Sequence, residues 1–161
     1  MTLVRWLSLA AAVGAYAVIV LGGYVSATGA GLACPAWPTC AGNLVPPLDQ
    51  PGVAAEWSHR LATVVEGFLV LGLAAVVWRK HRARRDLLAF TTAAVVLLLV
   101  QTAIGMVAVG SQLNPAVVTL HLATAVAFFA MVLLVTALAW WPVRGSEPNA
   151  GRVEDGARGP P

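Results

Sequence analysis

Along most of this chain apolar residues do not alternate with polar ones; they run on without interruption. Four stretches, Trp6 to Val25, Ala54 to Trp78, Leu87 to Gly110 and Ala116 to Trp141, hold almost nothing but aliphatic, aromatic and small residues. A helix rising about 1.5 Å per residue needs roughly 20 of them to cross about 30 Å of hydrocarbon. Hydrocarbon offers the backbone no partners, so a spanning segment of this length must close its own hydrogen bonds as a helix. The pattern predicts an all-α integral membrane protein, a four-helix transmembrane bundle.

Composition sharpens this. Of 161 residues, 59% are hydrophobic and 11% charged, more apolar surface than one small water-soluble core can hide. The basic residues also sit in register with the spans. Nine of the ten Lys and Arg fall at Arg5, in the run Arg79, Lys80, Arg82, Arg84 and Arg85, and at Arg144, Arg152 and Arg158. Basic loops stay in the cytoplasm, so both termini are expected there, in a multi-pass protein of the cell membrane. The net charge of +3 is then a topology signal, and nothing points to nucleic acid. The first apolar run is too long for a signal-peptide core, which favours a retained span over a cleaved leader. Residues 1–143 are expected to form the membrane domain. Residues 144–161, rich in Pro, Gly and mixed charge, are expected to be a disordered cytoplasmic tail.

The chain repeats itself. His59 opens His-Arg-Leu-Ala-Thr in the second span and His121 opens His-Leu-Ala-Thr in the fourth, while the first and third spans leave through Gly22, Gly23, Gly105 and Gly110. Two copies of a helical hairpin are implied, with the histidines in equivalent positions near the outer surface. Ala62 and Thr63 follow His59, and Thr124 and Ala125 follow His121, at the spacing of one helix face. Small residues there leave room for a flat macrocycle. Polar groups inside a membrane are costly and usually functional, and two imidazoles facing one axis suit the two sides of a heme iron. A hydrogen bond between helices is the plainer alternative.

The loop after the first span holds the only two cysteines, Cys34 and Cys40, with Pro35 and Pro38 between them. On the oxidising side of a membrane such a pair is expected to form a disulfide, as a loop staple or a thiol-exchange site. Glu56 and Arg60 flank His59; a carboxylate at the mouth of a heme pocket can steer a proton, and a guanidinium can pair with propionates. Glu66 lies seven residues beyond His59, hence deeper on nearly the same face, where a proton relay, a contact with Gln101 or Thr102, or a bond between helices is expected. His81, inside the basic run, is read as a solvated bystander.

Taken in order, Leu21 to Cys40 with its Thr28-Gly29 and Cys34-Pro35-Ala36-Trp37-Pro38-Thr39-Cys40 segments, Pro46-Pro47, Glu56-Trp57-Ser58-His59-Arg60, Gln101 with Gly105, and Asn114-Pro115 ahead of His121 resemble the heme A synthase family. The resemblance implies oxidation of the C8 methyl group of heme O to a formyl group, giving heme A for terminal oxidases. It implies His59 and His121 as axial ligands of heme b or heme O, Glu56 as the catalytic carboxylate, Arg60 as a cofactor contact and Cys34 with Cys40 as the loop pair. Heme O synthase and terminal oxidases are the implied assembly partners. Family members carry eight spans in two halves and this chain carries one half, so a homo-oligomer is expected. Ser26 and Ala36 stand where many relatives have Arg and Asp. Two other classes use parts of this pattern: a bis-histidine cytochrome b that only passes electrons, and a quinone-linked thiol oxidase, which needs a second cysteine pair.

Overall fold

The structure is a computed structural model, and it describes residues 1–35, 37–40 and 42–141. Four helices make up most of it: α1 (Thr2–Ala27), α2 (Pro51–Lys80), α3 (Arg85–Gly110) and α4 (Pro115–Trp140). Each is long and apolar enough to cross a membrane, and the protein is a multi-pass all-α membrane bundle. The tail expected from residue 144 lies outside the described residues.

The helices start where local chemistry lets them. Pro51 and Pro115 occupy first-turn positions of α2 and α4, where a missing N–H costs nothing and the fixed φ suits a helix. Asn114 caps α4 by accepting from the Ala116 N–H at 3.0 Å. Both helices begin ahead of the Ala54 and Ala116 expected from hydropathy, α2 by nearly a turn, because proline and polar residues extend the helix beyond its apolar run. His59 therefore sits roughly two turns inside its helix and His121 a little less.

The fold is the pair of hairpins the repeat implies: α1 packs chiefly on α2, α3 on α4, and the hairpins meet through α1 with α4 and, more loosely, α2 with α3. The histidine helices thus stand diagonally across the bundle. The hairpins differ in their connections. A long loop with a short 3-10 turn at Ala30–Leu32 joins α1 to α2, whereas residues 111–114 suffice between α3 and α4. In that tight turn Gln112 and Leu113 take left-handed conformations, with φ of 54° and 59°. A side chain added at Gly31 would lie 3.0 Å from a Leu113 methyl, so glycine there lets the long loop rest on the other hairpin's turn.

Packing is unevenly distributed along the bundle axis. Two clusters fill the half nearer the chain start: Val4, Leu73, Val77, Leu87, Val135, Leu138 and Ala139, then Ala11, Ala12, Ala15, Val70, Ala74, Ala94, Val95, Phe128 and Val132. The many alanines let helix backbones approach closely, the usual source of association where lipid competes for apolar contact. Thr136 donates to the Ser8 carbonyl at 3.0 Å and Arg5 to the Ala139 carbonyl at 3.0 Å, tying α1 to α4 at this end. Trp140 supports the same junction, edge-on to Trp6 and beneath the Arg5 guanidinium. In the other half, within the helices, only Val25, Glu56 and Ala108 are buried. The core stops at the level of Ala15, Glu66, Val95 and Phe128; the half beyond it has few buried side chains, and both histidines lie in it.

Candidate functional site

Each histidine ring rests on a glycine of the helix before it. A Cβ placed on Gly22 of α1 would meet His59 Cε1 at 2.9 Å, and one on Gly105 of α3 would meet His121 Cε1 at 3.1 Å. These are closer than side chains pack without something giving way. The two contacts are equivalent in the two hairpins, so the sequence repeat is also a repeat of geometry.

Their polar surroundings differ. Gln101 Nε2 lies 3.1 Å from His121 Nδ1, 3.3 Å from its Nε2 and 3.0 Å from its carbonyl oxygen. Thr124 in turn donates to Gln101 Oε1. Gln101 and Gly105 are one turn apart on α3, so one helix face carries both the amide that fixes the ring and the gap that admits it. His59 Nδ1, in contrast, is buried with no hydrogen-bond partner among the described residues, although the Val18 backbone faces the same ring.

Above His59 the loop is bound to α2. Glu56 is buried, 4% exposed, and accepts from Arg60 Nε at 2.9 Å, with Arg60 Nη2 2.8 Å from the same oxygen. The same guanidinium donates to the Cys34 carbonyl at 2.7 Å and the Thr39 carbonyl at 3.1 Å. Cys34 and Cys40 are joined in a disulfide and both buried, as expected from the loop. Arg60 thus grips both sides of the disulfide ring. Trp57 adds a second tie by donating to the Leu44 carbonyl at 2.9 Å. The result is a roof at this end of the bundle, latched by residues within one turn of His59.

The structure therefore brings together Glu56, His59, Arg60, Cys34 and Cys40, with His121 opposite. Glu66 is placed differently from the expectation of a bond to Gln101 or Thr102. Gln101 is committed to His121 and Thr124, and Thr102 donates to its own helix at the Leu98 carbonyl. Glu66 instead lies against Gly14 of α1, where an added Cβ would collide with Oε2. Neither of its oxygens has a hydrogen-bond partner among the described residues. His81 caps the far end of α2, half-buried. Partial burial, then the N-terminal amine, Arg84 and Lys80, hold its imidazole below the ordinary histidine value.

Two features escaped the sequence: Gln101 as the partner of His121, and Gly22 and Gly105 as the seats of the rings. A signal was present in the matched glycine of each hairpin, read there only as an exit from the membrane.

A multi-pass helical bundle, sparsely packed at one end, with a histidine there on each of two diagonal helices beneath a disulfide-closed loop: this is the class of protein that fold and site define. The chain belongs to the COX15-CtaA family of cytochrome oxidase assembly proteins, whose model matches residues 5–55 and 52–158. Among curated relatives, it is 36% identical over 129 residues to a heme A synthase of Bacillus pumilus, covering 79% of this chain and 42% of that protein. It is 33% identical over 126 residues to a heme A synthase of Exiguobacterium, covering 78% and 42%. It is 39% identical over 131 residues to a protoheme IX farnesyltransferase of Halobacterium salinarum, covering 81% of this chain and 28% of that protein. The chain spans less than half the length of each of these relatives.

Proposed function

We propose that this protein is a heme A synthase, an oxidoreductase that converts heme O to heme A by oxidising the C8 methyl group through successive hydroxylations. The observation that carries the reading is the pair of imidazoles seated on equivalent glycines of the two hairpins, in the half of the bundle beyond the packed core. The fit to a porphyrin is supported from three sides. The packed core ends just below the histidines, the Nδ1 of His59 is buried without a partner, and the rings lie on diagonal helices that face one another. Heme A synthase relatives matching most of this chain favour the same ligand.

In this reading His59 and His121 would hold the iron of heme b or heme O, which would supply the redox chemistry. Gln101 would orient His121, as partners behind metal-bound histidines do. Glu56 would serve as the carboxylate that accepts a proton at the mouth of the site. Arg60 holds that carboxylate in place, keeps the roof closed against water, and is near enough to the site to pair with a propionate. The disulfide of Cys34 and Cys40 shapes the roof. The basic ends of the helices face the cytoplasm, which puts the histidines and the loop near the outer face of the cell membrane. In this reading two or more copies work together, receiving heme O from its synthase and passing heme A to a terminal oxidase.

The test is chemical. When the protein is produced with a source of heme O, chromatography of extracted hemes should show heme A. Bound heme left unoxidised under the same conditions would instead mark an electron-carrying cytochrome b with the same ligands.

A further inference from the structure

We infer that the groove between α1 and α2 below His59 receives the isoprenoid arm of heme O, and that Glu66 hydrogen-bonds the hydroxyl at the root of that arm. The inference rests on the proposed function and extends it to recognition of heme O over plain protoheme.

Glu66 is 3% exposed in a segment long and apolar enough to cross a membrane, with both carboxyl oxygens unpartnered among the described residues. A buried polar group left unmatched in an apolar setting is expensive, so the fold keeps this one at a cost to itself. It also has a place to act. Glu66 lines an open-sided groove of about 350 Å³ with Gly14, Ala17, Ser58, Leu61, Ala62 and Val65. Apart from the carboxyl and the Ser58 hydroxyl, its walls are apolar or small. Leu61 and Val65 on its rim are about half exposed, so the groove is open toward lipid.

Its position relative to the histidine decides the occupant. Seven residues along α2 place Glu66 about 10 Å deeper than His59 on nearly the same face. Helical side chains lean back toward the helix start, which leans the carboxyl toward the level of His59. The α1 contacts agree: His59 lies on Gly22 and Glu66 on Gly14, two turns further into the membrane. A porphyrin held at His59 would bring a pyrrole edge within reach of this spot. Heme O differs from protoheme at one such edge, where a hydroxylated farnesyl arm replaces a vinyl group. A hydroxyl next to the ring meets the carboxyl, and the hydrocarbon arm continues along the groove into lipid.

Heme O and protoheme should be titrated separately into the detergent-solubilised protein, following the Soret band, with wild type, Glu66→Leu, Glu66→Gln and Ala17→Phe. Wild type should bind heme O about tenfold more tightly than protoheme, the worth of one buried hydrogen bond. Glu66→Leu should lose that preference and keep protoheme affinity, and Glu66→Gln should retain most of it. Ala17→Phe, filling the groove from α1, should weaken heme O alone. An unchanged preference in both Glu66→Leu and Ala17→Phe would overturn the assignment, as would equal wild-type affinity for the two hemes, and either result leaves the histidine site standing. Failure of wild type to bind either heme would remove the proposed function and this inference with it.

Discussion

His121 has an amide at its ring nitrogens and His59 does not. That asymmetry divides the roles of single side chains. Removing the amide with Gln101→Leu should weaken heme binding by about 10 to 100-fold, as loss of a partner behind a metal ligand does, measured by titration of the Soret band. At Glu56 the expected effect is on chemistry and not on binding. Glu56→Gln should hold heme normally while heme A formation falls by about 100-fold or more, the scale of a lost proton-transfer group, read from extracted hemes over time. Glu66 should behave in the opposite sense for stability. With no partner for either oxygen, Glu66→Leu should raise the melting temperature of the heme-free protein; a fall would mean that the carboxyl is a structural bond after all.

At the level of elements, the roof and the glycine seats can be tested separately. Arg60 joins Glu56 to the carbonyls of Cys34 and Thr39, so Arg60→Ala would leave a buried carboxylate unpaired, a loss of about 3 kcal/mol for comparable pairs. The loop should then open. Proteolysis should cut it faster than in wild type, while the helical signal persists. Gly22→Val or Gly105→Val should displace the imidazole it touches and abolish heme uptake, because a side chain cannot occupy the 2.9 Å and 3.1 Å now separating those positions from the rings. Circular dichroism would check that the bundle survives. Much at this scale was legible in advance. Uninterrupted hydropathy revealed the four spans, the repeated His-x-x-x-Thr and His-x-x-Thr runs the hairpins, and two prolines between cysteines the loop closure. The helix starts at Pro51 and Pro115 were not, since they depend on first-turn chemistry and not on apolarity. Nor was the pairing of Gln101 with His121, which depends on the rotation of α3 against α4, something a nearly all-apolar helix leaves unmarked.

For the whole molecule, the uneven packing is the organising fact. One half of the bundle is closed by alanine-rich contacts, tryptophans and α1–α4 hydrogen bonds, while the half with the histidines has few buried side chains. Such a division lets one end carry stability while the other keeps room for a ligand, at the expense of burying Glu66 between them. In the proposed topology the rigid end faces the cytoplasm and the histidine end faces outside, where a disulfide persists. The central claim is that His59 and His121 together clasp a heme iron. Its most direct test is the low-temperature absorption and electron paramagnetic resonance spectrum of the purified protein loaded with heme, compared with His59→Ala and His121→Ala. The account predicts a low-spin iron with two imidazole ligands in wild type, and loss of that signal in each variant. A well-folded wild-type protein that takes up no heme, or a low-spin spectrum unaltered by both substitutions, would contradict it.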